Sequence, residues 1–386
     1  CMEEGDLAGR AEILAAVGSA YADRYEWNEA LSSYFGSLTL FERLGDIYGH
    51  AQTAFNIALI YKDKGDWSRA LEMLERSQEI FMQLGAAPCI AMVKMNQGVI
   101  QSALGQYGKA EESLSGSVGI FENMGAMPDL TEAYIAMARF KLKADLPVEA
   151  RFYLSEADAL VHKINYDPIR ITLFSAWGEF YQGERLYSDA SRNYQLALAL
   201  SRKLCNPHEE ARALRNLGCV ALLQKDYREC AALLHQALEI FNRLEAMYDV
   251  MSLYYNMASL ALAQEEYARA EEISILLERQ GGLLGYVDLN IRALVAIADC
   301  EMHTGRKEEA RRDYARALEL AKGHGGATYS KTLSLLMGKV IECLEEAAPA
   351  NGDDILELEA LKRKLQKKDY KGLLENLPAA LDTCRD

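Results

Sequence analysis

Apolar positions recur along the chain at helical spacing, in stretches separated by short polar breaks. Between Ala51 and Gly85, one stretch is marked by Phe55, Ala58, Leu59 and Tyr61. Lys64-Gly65-Asp66 interrupts it, and Trp67, Ala70, Leu74, Ser77 and Phe81 resume the period. The pattern predicts two amphipathic helices joined by a tight turn, the second ending at Gly85, where a left-handed cap needs no Cβ.

Shifted by forty residues, the chain superimposes on itself. One column, opening each second helix, reads Ala30, Ala70, Ala110, Ala150, Ala190, Cys230, Ala270 and Ala310. Another, inside each first helix, reads Gly18, Ala58, Gly98, Ala138, Gly178, Gly218, Ala258 and Ala298. No side chain larger than cysteine occupies either column, as expected where helices approach so closely that a longer side chain would push them apart. Three residues before the first column stand Trp27, Trp67, Tyr107, Tyr187, Tyr227 and Tyr267, with Pro147 and Lys307 as departures.

At these columns the chain resembles the tetratricopeptide-repeat family, whose helix-turn-helix unit is usually about 34 residues long. In the first copy the motif order is carried by Gly18, Tyr21, Ala30, Tyr34 and Ser37. The extra residues fall between one copy and the next, as in the longer-repeat branch that includes kinesin light chains and several bacterial regulators. The resemblance covers about residues 11–330. It implies an all-α, right-handed superhelical solenoid of stacked hairpins with one continuous core, which overrides the two or three domains that 386 residues would otherwise suggest.

Composition changes this picture little. Half the residues are apolar, and a net charge of −15 keeps an elongated surface soluble and disfavours nucleic acid as a partner. No run of about 18 apolar residues is present to span a membrane. The eight cysteines show no CxxC pair or zinc-ligand spacing and read mostly as small packing residues. Cys1 has two readings. It is either the acylated first residue of a bacterial envelope lipoprotein, with a lipid anchor there, or a cut or engineered boundary in a cytoplasmic protein.

Along the chain, residues 1–10 read as an N-terminal tether, 11–330 as the eight-repeat array and 331–386 as C-terminal capping helices. Asn165-Tyr166-Asp167-Pro168 is the expected hinge. Copy seven is irregular, with Ser274 where its siblings carry an aromatic residue or leucine. A ninth first helix, around Gly338, has its partner stopped by Pro349 and Gly352. The basic run Lys362, Arg363, Lys364, Lys367 and Lys368 is either a solvated face or a patch for acidic lipid or an acidic partner.

In the family the resemblance points to, first helices line a concave groove that binds ligands. Carried over, the partner-binding positions are Phe55, Asn56, Met92, Met95, Asn96 and Arg139 in a mainly apolar half. Arg212, Arg215, Asn216, Tyr255 and Asn256 fall in a polar half. Family members often use asparagine here to hold a peptide backbone, since an amide both donates and accepts. The alternative is that each satisfies a neighbouring carbonyl. Arg212 and Arg215 read either as a fork for a carboxylate or phosphate, or as partners of Glu179.

The six histidines recur with no carboxylate or cysteine at metal-ligand or triad spacing, and Gly323 to Thr328 lacks the lysine of a phosphate loop. The expectation is therefore a non-catalytic scaffold without cofactor. It would grip a protein or peptide segment, with apolar anchors at copies two to four and an acidic group at copy six. The alternatives are an envelope lipoprotein assisting assembly of a surface or secretion complex, and a small-molecule or peptide-sensing regulator.

Overall fold

The computed structural model describes residues 2–164, 166–323 and 338–339. These form sixteen α-helices, with no strand among the described residues. Hairpin one is α1 (Met2–Asp23) with α2 (Trp27–Leu44). Hairpin two is α3 (Ile47–Lys64) with α4 (Trp67–Gln83), and hairpin three α5 (Ala87–Ala103) with α6 (Tyr107–Met124). Hairpin four is α7 (Met127–Lys143) with α8 (Pro147–Val161), and hairpin five α9 (Asp167–Gly183) with α10 (Tyr187–Lys203). Hairpin six is α11 (Pro207–Leu223) with α12 (Tyr227–Arg243), and hairpin seven α13 (Met247–Ala263) with α14 (Tyr267–Leu284). Hairpin eight is α15 (Val287–His303) with α16 (Lys307–Gly323).

The small columns do what their size allows. All eight residues of the Ala30 column are fully buried, and the Gly18 column packs beneath the bulky residue of the facing helix. A Cβ added at Gly178 would lie 2.4 Å from the Tyr194 ring, so only a bare backbone admits that ring. Serines tie first and second helices together in the early hairpins: Ser37 Oγ donates to the Ala11 carbonyl at 2.8 Å and Ser77 Oγ to that of Ala51 at 3.0 Å. Ser274, the irregular residue of copy seven, is fully buried and satisfies itself on the Ala270 carbonyl at 2.7 Å.

Helix ends follow a single plan. At most helix ends a residue one or two positions beyond the helix turns into the left-handed region, and it is glycine at Gly45, Gly65, Gly85, Gly105, Gly125, Gly285 and Gly305. At Tyr25, Asp145, Arg185, Cys205, Lys225, Glu245 and Glu265 a residue with a Cβ adopts the same turn, at a cost of about 1 kcal/mol each. Where the next helix opens, Asp46, Asp66, Asn206 and Asp226 accept a backbone N–H from its first turn.

Residues 2–10, expected as a tether, are the opening turns of α1. The chain divides into two compact units, residues 1–103 with 107–250 and residues 104–106 with 251–386. The division falls after Val250 rather than at the expected hinge, whose Pro168 lies in the first turn of α9. Apart from Gly338 and Lys339, the expected cap over 331–386 and its basic run lie outside the described residues, as does Cys1.

Candidate functional site

Within the first unit, side chains of the first helices converge on one another. The charge of Lys62 on α3 reaches Glu132 on α7, that of Arg139 on α7 reaches Glu209 on α11, and that of Asp63 on α3 reaches His208 on α11. Each of these relationships passes over at least one intervening first helix. Charges on alternate first helices lie close enough to act on one another, as they do where those helices line the inside of a curve, the inner wall of the unit.

The wall is built from charge pairs. Arg139 Nε stands 3.2 Å from Glu179, Arg212 3.0 Å from Glu209 and Arg215 2.9 Å from Asp249. His208 Nε2 meets the other oxygen of Asp249 at 3.1 Å, and Lys62 donates to Asn96 Oδ1 at 2.8 Å. Burial alone would raise the carboxyl pKa values. At Asp249 the His208 hydrogen bond and charge, with Arg215 and Arg212, outweigh that and hold it well below the carboxylate range. Glu209 is likewise lowered, by Arg212, His208 and Arg139 against burial. Arg212 is raised by Glu209 despite its burial.

Glu132 differs from its neighbours. Burial raises its pKa, Lys62 opposes the rise and Asp129 adds to it, while the side chain keeps contact with solvent. It is the wall carboxylate with no ion-pair partner among the described residues.

The expected binding residues separate into three groups. Phe55 is 3% exposed and belongs to the core rather than the groove, because it lies about 100° around α3 from Asn56. Met92 and Met95 are half-buried against the core around Tyr134 and Ile135. Arg212 pairs with Glu209 and Arg215 with Asp249, while Glu179 pairs with Arg139 and its charge also acts on Arg212. Both arginines are already neutralised, so the expected site for an acidic group at copy six is not a free cationic fork.

Asn96 donates to the Met92 carbonyl at 2.9 Å, the local satisfaction that competes with ligand binding. The Asn56 amide is half-buried, and no hydrogen bond occupies it among the described residues. Asn216 receives a long contact of 3.5 Å from Arg215. In the second unit, the Tyr255 ring lies 5.2 Å beneath the Arg292 guanidinium, and Asn256 is half-buried beside it in sequence.

No three His, Cys, Asp or Glu side chains among the described residues form a group able to hold a metal ion. No disulfide joins the five described cysteines. Two of them, Cys230 and Cys300, are buried packing residues whose thiols burial pushes up to about 12. No helix among the described residues is long and apolar enough to cross a membrane.

Residues 170–243 and 291–324 match models of the tetratricopeptide repeat. No curated relative matches the chain. Among solved structures, the chain is similar to a Rap protein complexed with competence and sporulation factor, at 14% identity and a TM-score of 0.60, over 87% of this chain and 99% of that one. It is also similar to the Rap conjugation gene regulator of plasmid pLS20 in complex with a Phr peptide, at 14% identity and a TM-score of 0.56, over 72% and 76%. A signal transduction ATPase with a tetratricopeptide-repeat sensor, from Pyrococcus horikoshii, matches 92% of this chain at 15% identity and a TM-score of 0.52. This chain spans 55% of that ATPase's length. The hairpins repeat every forty residues, and over residues 170–243 and 291–324 they match the tetratricopeptide repeat, so the chain carries tetratricopeptide repeats.

Proposed function

We propose that this protein is a non-catalytic scaffold that holds an extended segment of a partner protein or peptide along the inner wall of its first helices. The observation that supports the reading is the half-buried Asn56 amide, which no hydrogen bond occupies among the described residues, together with Asn216, held only by a long 3.5 Å contact from an Arg215 whose charge is already spent on Asp249. Such a wall offers donors and acceptors to a peptide backbone without a strong field of either sign, which suits a chain of mixed sequence. Two Rap proteins of similar fold are complexed with competence and sporulation factor and with a Phr peptide in their solved structures. That supports the reading at the level of fold, since at 14% identity no contact residue carries over.

The test is binding of a pool of labelled, mixed-sequence peptides, read by fluorescence anisotropy. Asn56→Ala with Asn216→Ala should weaken binding by at least roughly tenfold, as two lost hydrogen bonds of about 1 kcal/mol each require. The thermal midpoint should stay in place. Undiminished binding by the double variant would remove these residues from the site.

A further inference from the structure

The first unit closes on itself along a seam between residues far apart in the chain. Tyr25, in the turn of hairpin one, donates its hydroxyl hydrogen to Asn206 Oδ1 at 2.7 Å, 181 residues away. The Trp27 indole N–H donates to the Leu244 carbonyl. From the turn of hairpin two, Lys64 reaches Glu245 at 2.8 Å, and Trp67 packs on Tyr248 with ring centroids 4.5 Å apart. Both indoles are shielded, Trp27 being 5% and Trp67 8% exposed. The contacts are few compared with the full-length packing of successive helices, and the ion pair is solvated and weak.

His208 lies at the centre of this seam. The Tyr25 ring stacks on it, with centroids 6.4 Å apart and planes inclined by 23°, and Phe241 of α12 meets it edge-on at 5.8 Å. Asp249 at the start of α13 bonds its Nε2 at 3.1 Å, and Glu209 lies 4.0 Å from its Nδ1. Arg212 on its own helix and Asp63 from hairpin two complete the charged groups around it. Asp63 thus acts on the imidazolium from across the seam, as Asp249 and Glu209 do from its own side. Burial disfavours that charge, but the hydrogen bond and charge of Asp249, with Asp63, raise the histidine pKa despite Arg212.

We propose that the seam is a pH-sensitive latch, held shut by protonated His208, whose deprotonation lets the turns of hairpins one and two part from hairpin six. Loss of the proton removes the charge that Asp63 attracts from across the seam and that sits against the Tyr25 ring, while Arg212 and Arg215 keep Glu209 and Asp249 paired. No covalent step is involved. The open state exposes Trp27 and Trp67 to water and widens the wall described above.

Two of the three tryptophans lie in the seam, so fluorescence of the full chain carrying Trp177→Phe reads it directly. As pH rises from the ordinary histidine value of 6.5 through the raised folded value, emission should shift to the red and become more easily quenched by acrylamide, with far-UV circular dichroism unchanged. His208→Gln, which keeps a hydrogen-bonding side chain but does not titrate, should abolish the pH dependence. Constant emission across that range, or a transition retained by His208→Gln, would overturn the latch. If His208→Gln loses its helicity, Tyr25→Phe decides. A latch missing the Asn206 bond opens at lower pH, and an unmoved midpoint would count against it.

Discussion

Lys141 of α7 and Glu301 of α15 stand at the same place in hairpins four and eight and carry opposite charge. The Lys141 ammonium, on a residue 6% exposed, bridges Glu111 and Glu149 at 2.7 Å each. Forty-residue spacing carries those two carboxylates to Glu271 and Glu309, so Glu301 replaces a cation in an acidic surround. The compensation comes from the turn, where Arg306 grips Glu271 through both terminal nitrogens, at 2.8 and 2.6 Å, and stands 3.8 Å from Glu301. The same local geometry is thus neutralised in two ways.

Lys141→Glu should therefore destabilise hairpin four. It places a buried carboxylate between two others with no arginine in the turn to answer it, since Arg306 corresponds to Leu146. The expected loss is about 2–4 kcal/mol in urea unfolding. Lys141→Met, which fills the same space, should cost under about 1 kcal/mol, because Glu111 and Glu149 are half-exposed and can rehydrate.

Glu301 supplies a pH test of opposite sign to the usual carboxylate. Burial, with Asp313 adding and Arg306 opposing, raises its pKa to about 7, and its Oε2 has no hydrogen-bond partner. A carboxyl raised on folding binds its proton more tightly in the native state. Stability associated with it is complete below the unfolded value near 4.5, falls as pH rises from there to about 7, and is absent above. Glu301→Gln should remove that slope and stabilise the protein at pH 8 by on the order of 1 kcal/mol. Unfolding curves at several pH values for the two proteins check it.

Much of this was legible in the sequence, because the repeat is written locally. The Ala30 and Gly18 columns fix where helices touch, and the aromatic at Trp27 and its equivalents marks each turn. Two things were not. Phe55 and Asn56 are adjacent, and only the rotation of α3 within the stack sends one into the core and the other to the wall. The contact of Tyr25 with Asn206 depends on a small rotation per hairpin accumulated over several, which no single repeat encodes. Left-handed turns at Tyr25, Cys205 and Glu245 were hidden as well, since nothing in those residue types asks for a positive φ.

The pairing of small and bulky columns predicts a compensated double variant. Gly178→Ala should overpack against Tyr194 and cost about 1–3 kcal/mol. Adding Tyr194→Leu reproduces the Ala58 with Leu74 pair of hairpin two and should recover most of that loss. Its own cost is the bond from the Tyr194 hydroxyl to Gln182 at 3.1 Å. Thermal denaturation of both single variants and the double variant measures the coupling.

The seam and the wall meet at Asp249, which makes its removal the most damaging single change on this face. Asp249→Ala leaves the Arg215 guanidinium without its 2.9 Å partner and His208 without its 3.1 Å partner. The expected cost is about 3–5 kcal/mol. Glu179→Ala, at a side chain 31% exposed and paired with a single arginine, should cost about 1 kcal/mol or less. The acid limb of stability follows from the same residue. Its folded pKa is depressed, so its contribution is present above the unfolded value of 3.8 and is lost as pH falls further, through the folded value. The raised pKa of His208 acts in the other direction, its contribution being complete below 6.5 and disappearing as pH rises through the folded value. These two contributions should therefore fall away on either side of mildly acidic solution. Asp249→Ala should flatten both limbs together, because it removes the carboxylate that holds one proton off and the other on.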